Sequence, residues 1–175
     1  MPESQAVTVC RLVADDWQAY RAIRLAMLQE SPAAFSSTHV QAATFDEVLW
    51  RQRLTDNAVF LARVDQVPAG SAMYSEFGAT DPGDCALGGM WVDPVARGSG
   101  VGRALVAEVV EHARTLGKRR VVLHVVAGND QAGRLYERAG FVPTGQTVPY
   151  PHDDSVIEVE MELLLDGVSS SPDFP

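Results

Sequence analysis

An α/β fold built on one mixed sheet is what this sequence predicts, and three observations predict it. Strand-like and helix-like runs follow one another as strand, two helices, three strands, helix, strand, helix, two strands. An apolar run from Leu87 to Val92 passes through a glycine-rich stretch into an amphipathic run from Arg103 to Leu116. Near the end, Val156 to Leu163 alternates strictly: Ile157, Val159, Met161 and Leu163 face one way, and Glu158, Glu160 and Glu162 the other. That is the pattern of a half-buried strand. At 175 residues the chain is expected to form one domain with a sizeable core.

Each element has a local reason. Val7 to Val13 reads as the first strand. Asp15 or Asp16 is expected to cap a helix running to about Gln29, with Trp17, Tyr20, Ile23 and Met27 on its apolar face. Glu30 to His39 reads as a loop broken by Ser31-Pro32. Thr44-Phe45-Asp46-Glu47 has the spacing of a capping box and opens a second helix ending near Leu54. Ala58 to Val64 and Ala69 to Phe77 read as strands around a turn at Asp65-Gln66-Val67-Pro68. Gly78 to Asp84 is a loop, and Cys85 to Val92 the fourth strand. After the long helix come a strand at Arg120 to Ala127, a short helix at Asp130 to Ala139, and strands at Phe141 to Val148 and Val156 to Leu163. The domain is expected to occupy residues 1–166. Residues 167–175, with Ser and Pro and no periodicity, are expected to form a disordered tail.

Composition excludes several classes. No apolar run approaches the ~20 residues of a membrane span, and Met1 to Ala6 lacks the basic and apolar regions of a signal peptide. A cytoplasmic location is therefore expected. Two cysteines, Cys10 and Cys85, make no disulfide framework, and each sits in a strand-like run where a buried free thiol is expected. The four histidines, His39, His112, His124 and His152, are scattered, so no metal site is expected. Between Arg97 and Arg138 eight basic residues stand against four acidic ones, although the whole chain carries −9. The one basic region would attract an anionic cofactor, and the acidic remainder argues against nucleic acid.

The basic region contains the glycine-rich stretch, Val92-Asp93-Pro94-Val95-Ala96-Arg97-Gly98-Ser99-Gly100-Val101-Gly102-Arg103. A helix N-terminus carries unpaired N–H groups and partial positive charge. Glycines remove the side chains that would keep a phosphate from those groups. The stretch reads as a pyrophosphate cradle. The dinucleotide pattern G-x-G-x-x-G fails, because the third glycine falls on Arg103 or Leu105. The P-loop fails because the single lysine, Lys118, lies outside the stretch.

What remains is Arg97-x-x-Gly100-x-Gly102, which resembles the acetyl-CoA loop of the GNAT superfamily of N-acetyltransferases, as does the Val-x-Pro turn before it. A second block, Asn129-Asp130-Gln131-Ala132-Gly133-Arg134-Leu135-Tyr136-Glu137-Arg138-Ala139-Gly140-Phe141, resembles that family's Asn-x-x-Ala-x-x-Leu-Tyr-Glu-x-x-Gly-Phe segment. Gly133 departs from a good helix former at a cost of about 1 kcal/mol, offset by packing of Leu135 and Phe141. The outer parts of the chain resemble the family in strand order more than in residues.

The resemblance implies a single-domain, mostly antiparallel sheet of about seven strands with about four helices, strands 4 and 5 splayed around the cofactor. It implies acetyl transfer from acetyl-CoA to a primary amine of a small molecule or peptide, by direct attack in a ternary complex. A non-catalytic CoA-binding regulatory domain of the same fold, and O-acyl or other acyl transfer, are the alternatives. Homodimers are common in this family. The cofactor side would comprise Met90, Trp91 and Val92 beside the pantetheine arm, Arg97, Gly98, Ser99, Gly100, Val101, Gly102 and Arg103 at the pyrophosphate, and Asn129, Ala132 and Tyr136 on the short helix. Asn129 is also a ready helix cap.

Tyr136 matches the family tyrosine near the cofactor sulfur. A phenol of pKa ~10 is protonated at neutral pH and can serve as general acid. The general base is left open: the fourth strand has no acid, so Glu76 on the third strand and His124 on the fifth are the candidates. The acceptor pocket is expected from the first two helices, their loop and the turn before the last strand, with Glu30, Phe35, Trp50 and the segment Tyr150 to Asp153 as candidates. Leu28 to Phe35, containing Glu30-Ser31-Pro32-Ala33-Ala34-Phe35, resembles a segment of a bacterial subgroup of the family.

Overall fold

Ala58–Val64 (β2) carries apolar residues at consecutive positions, and the computed structural model shows that the strand is covered on both faces. The structure describes residues 6–77, 79, 81–150 and 153–165. Ala58, Phe60 and Ala62 pack against one helical layer, and Val59 and Leu61 against the other. β2 belongs to a seven-stranded sheet with the remaining strands β1 (Val7–Arg11), β3 (Val67–Ser75), β4 (Asp84–Val92), β5 (Arg120–Val126), β6 (Val142–Tyr150) and β7 (Asp153–Leu164). Their order is β1-β2-β3-β4-β5-β7-β6, and every neighbouring pair is antiparallel except β4 with β5. The mixed, mostly antiparallel sheet is the one expected.

One face is covered by α1 (Trp17–Glu30), the short α2 (His39–Ala43) and α3 (Glu47–Asp56), whose Tyr20, Ile23, Met27, Trp50 and Leu54 are buried there. The other face carries α4 (Val101–Thr115) and α5 (Asp130–Arg138). α4 buries Val101, Leu105, Val106, Val109, Val110 and Ala113, a stripe at helical spacing. Gly70 lets α4 approach β3: a Cβ there would stand 2.7 Å from the Trp91 carbonyl oxygen and 3.0 Å from Val101 Cγ1.

The parallel pair positions the site. β4 and β5 pair only at Asp84–Arg120, Cys85–Val121 and Ala86–Val122, and beyond Ala86 the strands part. Arg120 pins the paired end, reaching Asp84 at 3.1 Å, Glu160 at 3.2 Å and Glu162 at 2.5 Å across three strands. On the other side of β4, Ser71 pairs with Trp91 and Met73 with Gly88, so Gly89 and Met90 together face Ala72. This bulge is built on Gly89 at φ +54, a left-handed conformation that glycine adopts without strain.

Several local expectations are corrected. There are five α-helices rather than four, because α2 forms between the end of the expected loop at His39 and the expected second helix. Thr38 caps it by accepting the Gln41 N–H at 3.2 Å, with the Gln41 side chain reaching back to Thr38 N–H at 3.3 Å. Thr44 ends α2 instead of opening the next helix, and Asp46 caps α3 by accepting the Leu49 N–H at 2.9 Å. Asp16 accepts the Val13 N–H at 2.8 Å and so caps a 3-10 turn, Ala14–Asp16, that precedes α1. Cys85 is buried, but Cys10 on edge strand β1 is exposed, where Arg63 Nη1 lies 3.0 Å from its sulfur. The expected tail, residues 167–175, lies outside the described residues.

Candidate active site

The sequence at the end of β4 folds into a stepped loop. Asp93 accepts the Val95 N–H at 3.0 Å and caps a 3-10 turn, Pro94–Ala96. Ser99 Oγ turns back to the Ala96 carbonyl at 2.5 Å. Gly98 and Gly100 hold φ of +85 and +90, and nothing lies within 4 Å of where their Cβ atoms would stand. Gly100 is the N-cap of α4, and its carbonyl accepts the first intrahelical N–H, from Ala104, at 3.0 Å. The N–H groups of Val101, Gly102 and Arg103 therefore point out of the helix end, as at any helix N-terminus. Gly102 lets α5 close on α4, since a Cβ there would stand 3.1 Å from Leu135 Cδ2.

α5 brings up the second block. Asn129 accepts the Ala132 N–H at 3.2 Å and is the helix cap. Tyr136 is only 6% exposed and sets its ring 6.0 Å from that of Phe141. Burial pushes the Tyr136 hydroxyl up to about 12. It therefore stays protonated at neutral pH and can donate.

Two cavities open from the splay between β4 and β5. A groove of about 1280 Å³ runs between α4 and α5, floored by Gly98, Gly100 and Gly102 and flanked by Arg103, Arg114 and Arg138. A cavity of about 510 Å³ lies on the other side of the sheet, under α1 and α3. Met90, Asn129, Ala132 and Tyr136 line both. The two compartments thus meet where β4 leaves β5.

Of the residues expected on the cofactor side, Met90, Trp91, Val92, Arg97, Gly98, Gly100, Gly102, Arg103, Asn129, Ala132 and Tyr136 line the groove. Ser99 and Val101 do not: the Ser99 hydroxyl is turned to the loop, and Val101 is a buried core residue. His124 lines the smaller cavity, with Nε2 3.5 Å from Glu160 Oε2. Glu76 lines neither cavity. Its carboxylate accepts the Tyr74 hydroxyl at 2.7 Å and pairs with Lys118 at 3.0 Å, near the paired end of β4. Those two bonds hold the Glu76 carboxyl below the usual carboxylate range.

The acceptor-side candidates divide. Phe35 lines both cavities and Tyr150 lines the smaller one, where burial and then Glu158 push its hydroxyl up. Trp50 is fully buried in the core, its indole N–H donating to the Phe45 carbonyl at 3.2 Å. Glu30 lies at the glycine loop, accepting the Trp91 indole N–H and facing Arg97. Pro151 and His152, within the expected turn, lie outside the described residues.

Sequence reading missed Arg24, Arg53 and Glu158, all on the wall of the smaller cavity. A signal existed for the arginines. Arg24 is four residues after Tyr20 and three before Met27, and Arg53 three after Trp50, so both sit beside buried faces of their helices. Among the described residues no cluster of His, Cys, Asp or Glu could hold a metal, and no helix is long and apolar enough to cross a membrane.

The fold is shared with known proteins. YncA of Salmonella typhimurium, a structure with its cofactor acetyl-CoA, superposes with a TM-score of 0.73 at 21% identity, covering 97% of this chain and 99% of that one. A GNAT-family acetyltransferase of Streptococcus pneumoniae superposes at 0.77 with 19% identity, covering 91% of this chain and all of the other. In sequence, the mycothiol acetyltransferase of Geodermatophilus obscurus is 47% identical over 64 residues, 35% of this chain and 21% of that protein. That of Salinispora tropica is 38% identical over 101 residues, 54% of this chain and 32% of that protein. The match thus spans about a fifth to a third of the length of these curated relatives. The model of the acetyltransferase (GNAT) family matches residues 22–141, more than half of the chain and both glycine-loop and Tyr136 segments, and the chain belongs to that family.

Proposed function

We propose that this chain is an acetyl-CoA-dependent N-acetyltransferase acting on the primary amine of a small molecule. The observation that carries the reading is the junction of two cavities at the β4–β5 splay, with a buried, protonated Tyr136 on the wall of both. A binding domain needs one compartment. A transferase with a ternary complex needs two, meeting at the reacting atoms.

The residues fit acetyl-CoA. The floor at Gly98 and Gly100 has open space that a Cβ would fill, and the α4 N-terminus presents free N–H groups to a pyrophosphate. Arg103, Arg114 and Arg138 flank the groove with positive charge. When bound, acetyl-CoA supplies an activated thioester. Beyond Ala86 the β4 backbone facing β5 has no strand partner, so its N–H and C=O groups can hold an extended arm and polarise a carbonyl. Tyr136 donates a proton to the leaving sulfur. His124, which lines the acceptor cavity, receives the amine proton.

Titration with acetyl-CoA, followed by thiol release across a panel of primary amines, tests the reading. Binding with thiol release on at least one amine is the expected result. Binding without release on any amine would leave a CoA-binding domain, and absence of binding would remove the cofactor assignment.

A further inference from the structure

We propose that the acceptor is a small amino acid, its carboxylate held between Arg24 and Arg53 in the cavity under α1 and α3. The inference rests on the N-acetyltransferase reading and names the substrate class of that site.

Both arginines line the cavity, and among the described residues neither has a carboxylate within salt-bridge distance. Arg24 lies over the Phe35 ring at 5.2 Å, and its Nη1 donates to the Met27 sulfur at 3.7 Å. Arg53 lies over the Phe45 ring at 4.9 Å, and among the described residues its buried Nε has no hydrogen-bond partner. Burial pushes the Arg24 guanidinium down, Tyr20 opposes that, and the charge of Arg53 adds to it. Two neighbouring cations, sheltered and without a counter-ion, are costly to fold unless an anion completes them. A guanidinium fork is also the donor geometry that a carboxylate matches best.

Glu158 is the one carboxylate among the described residues that line the cavity. Glu158, Tyr150 and His124 line the cavity from the β5–β7 side. One wall suits an anion and the other an ammonium, which together describe a zwitterion. Arg24 also reaches the β4 wall of the cavity. Its Nη1 lies 3.8 Å from where a Gly89 Cβ would stand, on the bulge at the start of the splay. An anion there would lie beside the unpaired β4 backbone to which the proposed function assigns the thioester, so a carboxylate and an amine at these places belong to one small unit. The cavity, about 510 Å³, is at the small-ligand end of the range for binding sites. In the reaction a C–N bond to the acetyl group replaces the C–S bond. The amine loses one proton and the thiolate gains one, giving an N-acetyl amino acid and free CoA.

Calorimetric titration of the full chain with each proteinogenic L-amino acid, its primary amide and matched dipeptides, with and without CoA, tests this. At least one amino acid is expected to bind, and its amide ~10-fold more weakly or worse. Arg24→Gln and Arg53→Gln are each expected to weaken that amino acid by ~10-fold or more while leaving the acetyl-CoA Kd within about 2-fold. Arg24→Lys should retain more binding than Arg24→Gln, and thermal melts of all three variants separate lost binding from lost folding. Equal binding of acid and amide, a carboxylate preference that survives both glutamine variants, or no amino acid bound would overturn the proposal. Binding of dipeptides alone would move the anion to a peptide C-terminus and overturn it too. Amino-acid and acetyl-CoA binding are read separately. A chain that binds amino acids but no acetyl-CoA keeps this subsite and loses the transferase reading.

Discussion

The Trp91 indole N–H donates to Glu30 Oε2 at 2.9 Å, and the same carboxylate oxygen lies 3.2 Å from Arg97 Nη2. The end of α1 is thereby fastened to the end of β4 and to the glycine loop. Hydrogen bonds from Ser31 and Trp91, and then the charge of Arg97, hold the Glu30 carboxyl below the usual carboxylate range. The ion pair is half exposed and adds little to stability. The indole is buried, so removing its acceptor leaves a donor unsatisfied. Glu30→Ala is expected to lower the unfolding free energy by about 1–2 kcal/mol, and Glu30→Gln by less, because its amide oxygen still accepts. Urea titration of both variants measures this. Equal losses would mean that the ion pair, not the indole bond, matters.

Gly100 combines two constraints, φ +90 at the N-cap of α4 and a position on the groove floor. Gly100→Ala puts a Cβ into that floor and strains the backbone by roughly 1–2 kcal/mol. The acetyl-CoA Kd is expected to rise by ~10-fold or more, because binding loses both the space and the N–H alignment. Titration calorimetry checks this, and an unchanged Kd would place the pyrophosphate elsewhere.

Gly133 is the contrasting case. It lies inside α5, at ordinary helical φ, with nothing within 4 Å of an added Cβ. No cavity uses it. Gly133→Ala should therefore stabilise the fold by about 1 kcal/mol and leave acetyl-CoA affinity alone. A denaturant midpoint that falls would show that α5 needs this glycine for something the packing does not reveal.

Tyr136→Phe removes one hydroxyl and leaves the ring against Phe141. If that hydroxyl protonates the leaving sulfur, kcat should fall on the order of 100-fold with the acetyl-CoA Kd within about 2-fold. A Kd that rises while kcat holds would make Tyr136 a binding residue instead.

The groove side of the candidate site was readable because it is local. Residues 90–103 and 129–141 each form one strand–turn–helix or helix–turn unit, so the residues' spacing dictates their geometry. The smaller cavity is assembled from α1, α3, β3 and the β5–β7 side, far apart in the chain, and no short pattern links Arg24 to Arg53 or to Glu158. The same distinction explains the fold. β7 declares itself by alternation, whereas β2, buried on both faces, shows only a short apolar run. α2 has just five residues, too few for an apolar period, and only its Thr38–Gln41 capping box betrays it. Thr44 has the same spacing to Glu47, but Asp46 stands closer to the helix start and takes the cap.

His112, on α4, lies edge-on between the rings of Tyr74 at 4.9 Å and Phe60 at 5.7 Å. Burial, and then the charge of Arg11, push its pKa below 6.5. In the unfolded chain the imidazole titrates near 6.5, so as pH falls through that value the unfolded state takes up the proton first. Stability is therefore full above about pH 6.5 and declines as pH falls toward the lower folded pKa. The depressed carboxyls of Glu30, Glu76, Asp81 and Asp153 act the same way, but only in the carboxylate range further down. Thermal melts between about pH 5 and 7.5 should show Tm falling with pH, and His112→Phe, which keeps a ring between Phe60 and Tyr74, should flatten that slope. An unchanged slope in the variant would mean that another group carries the proton uptake.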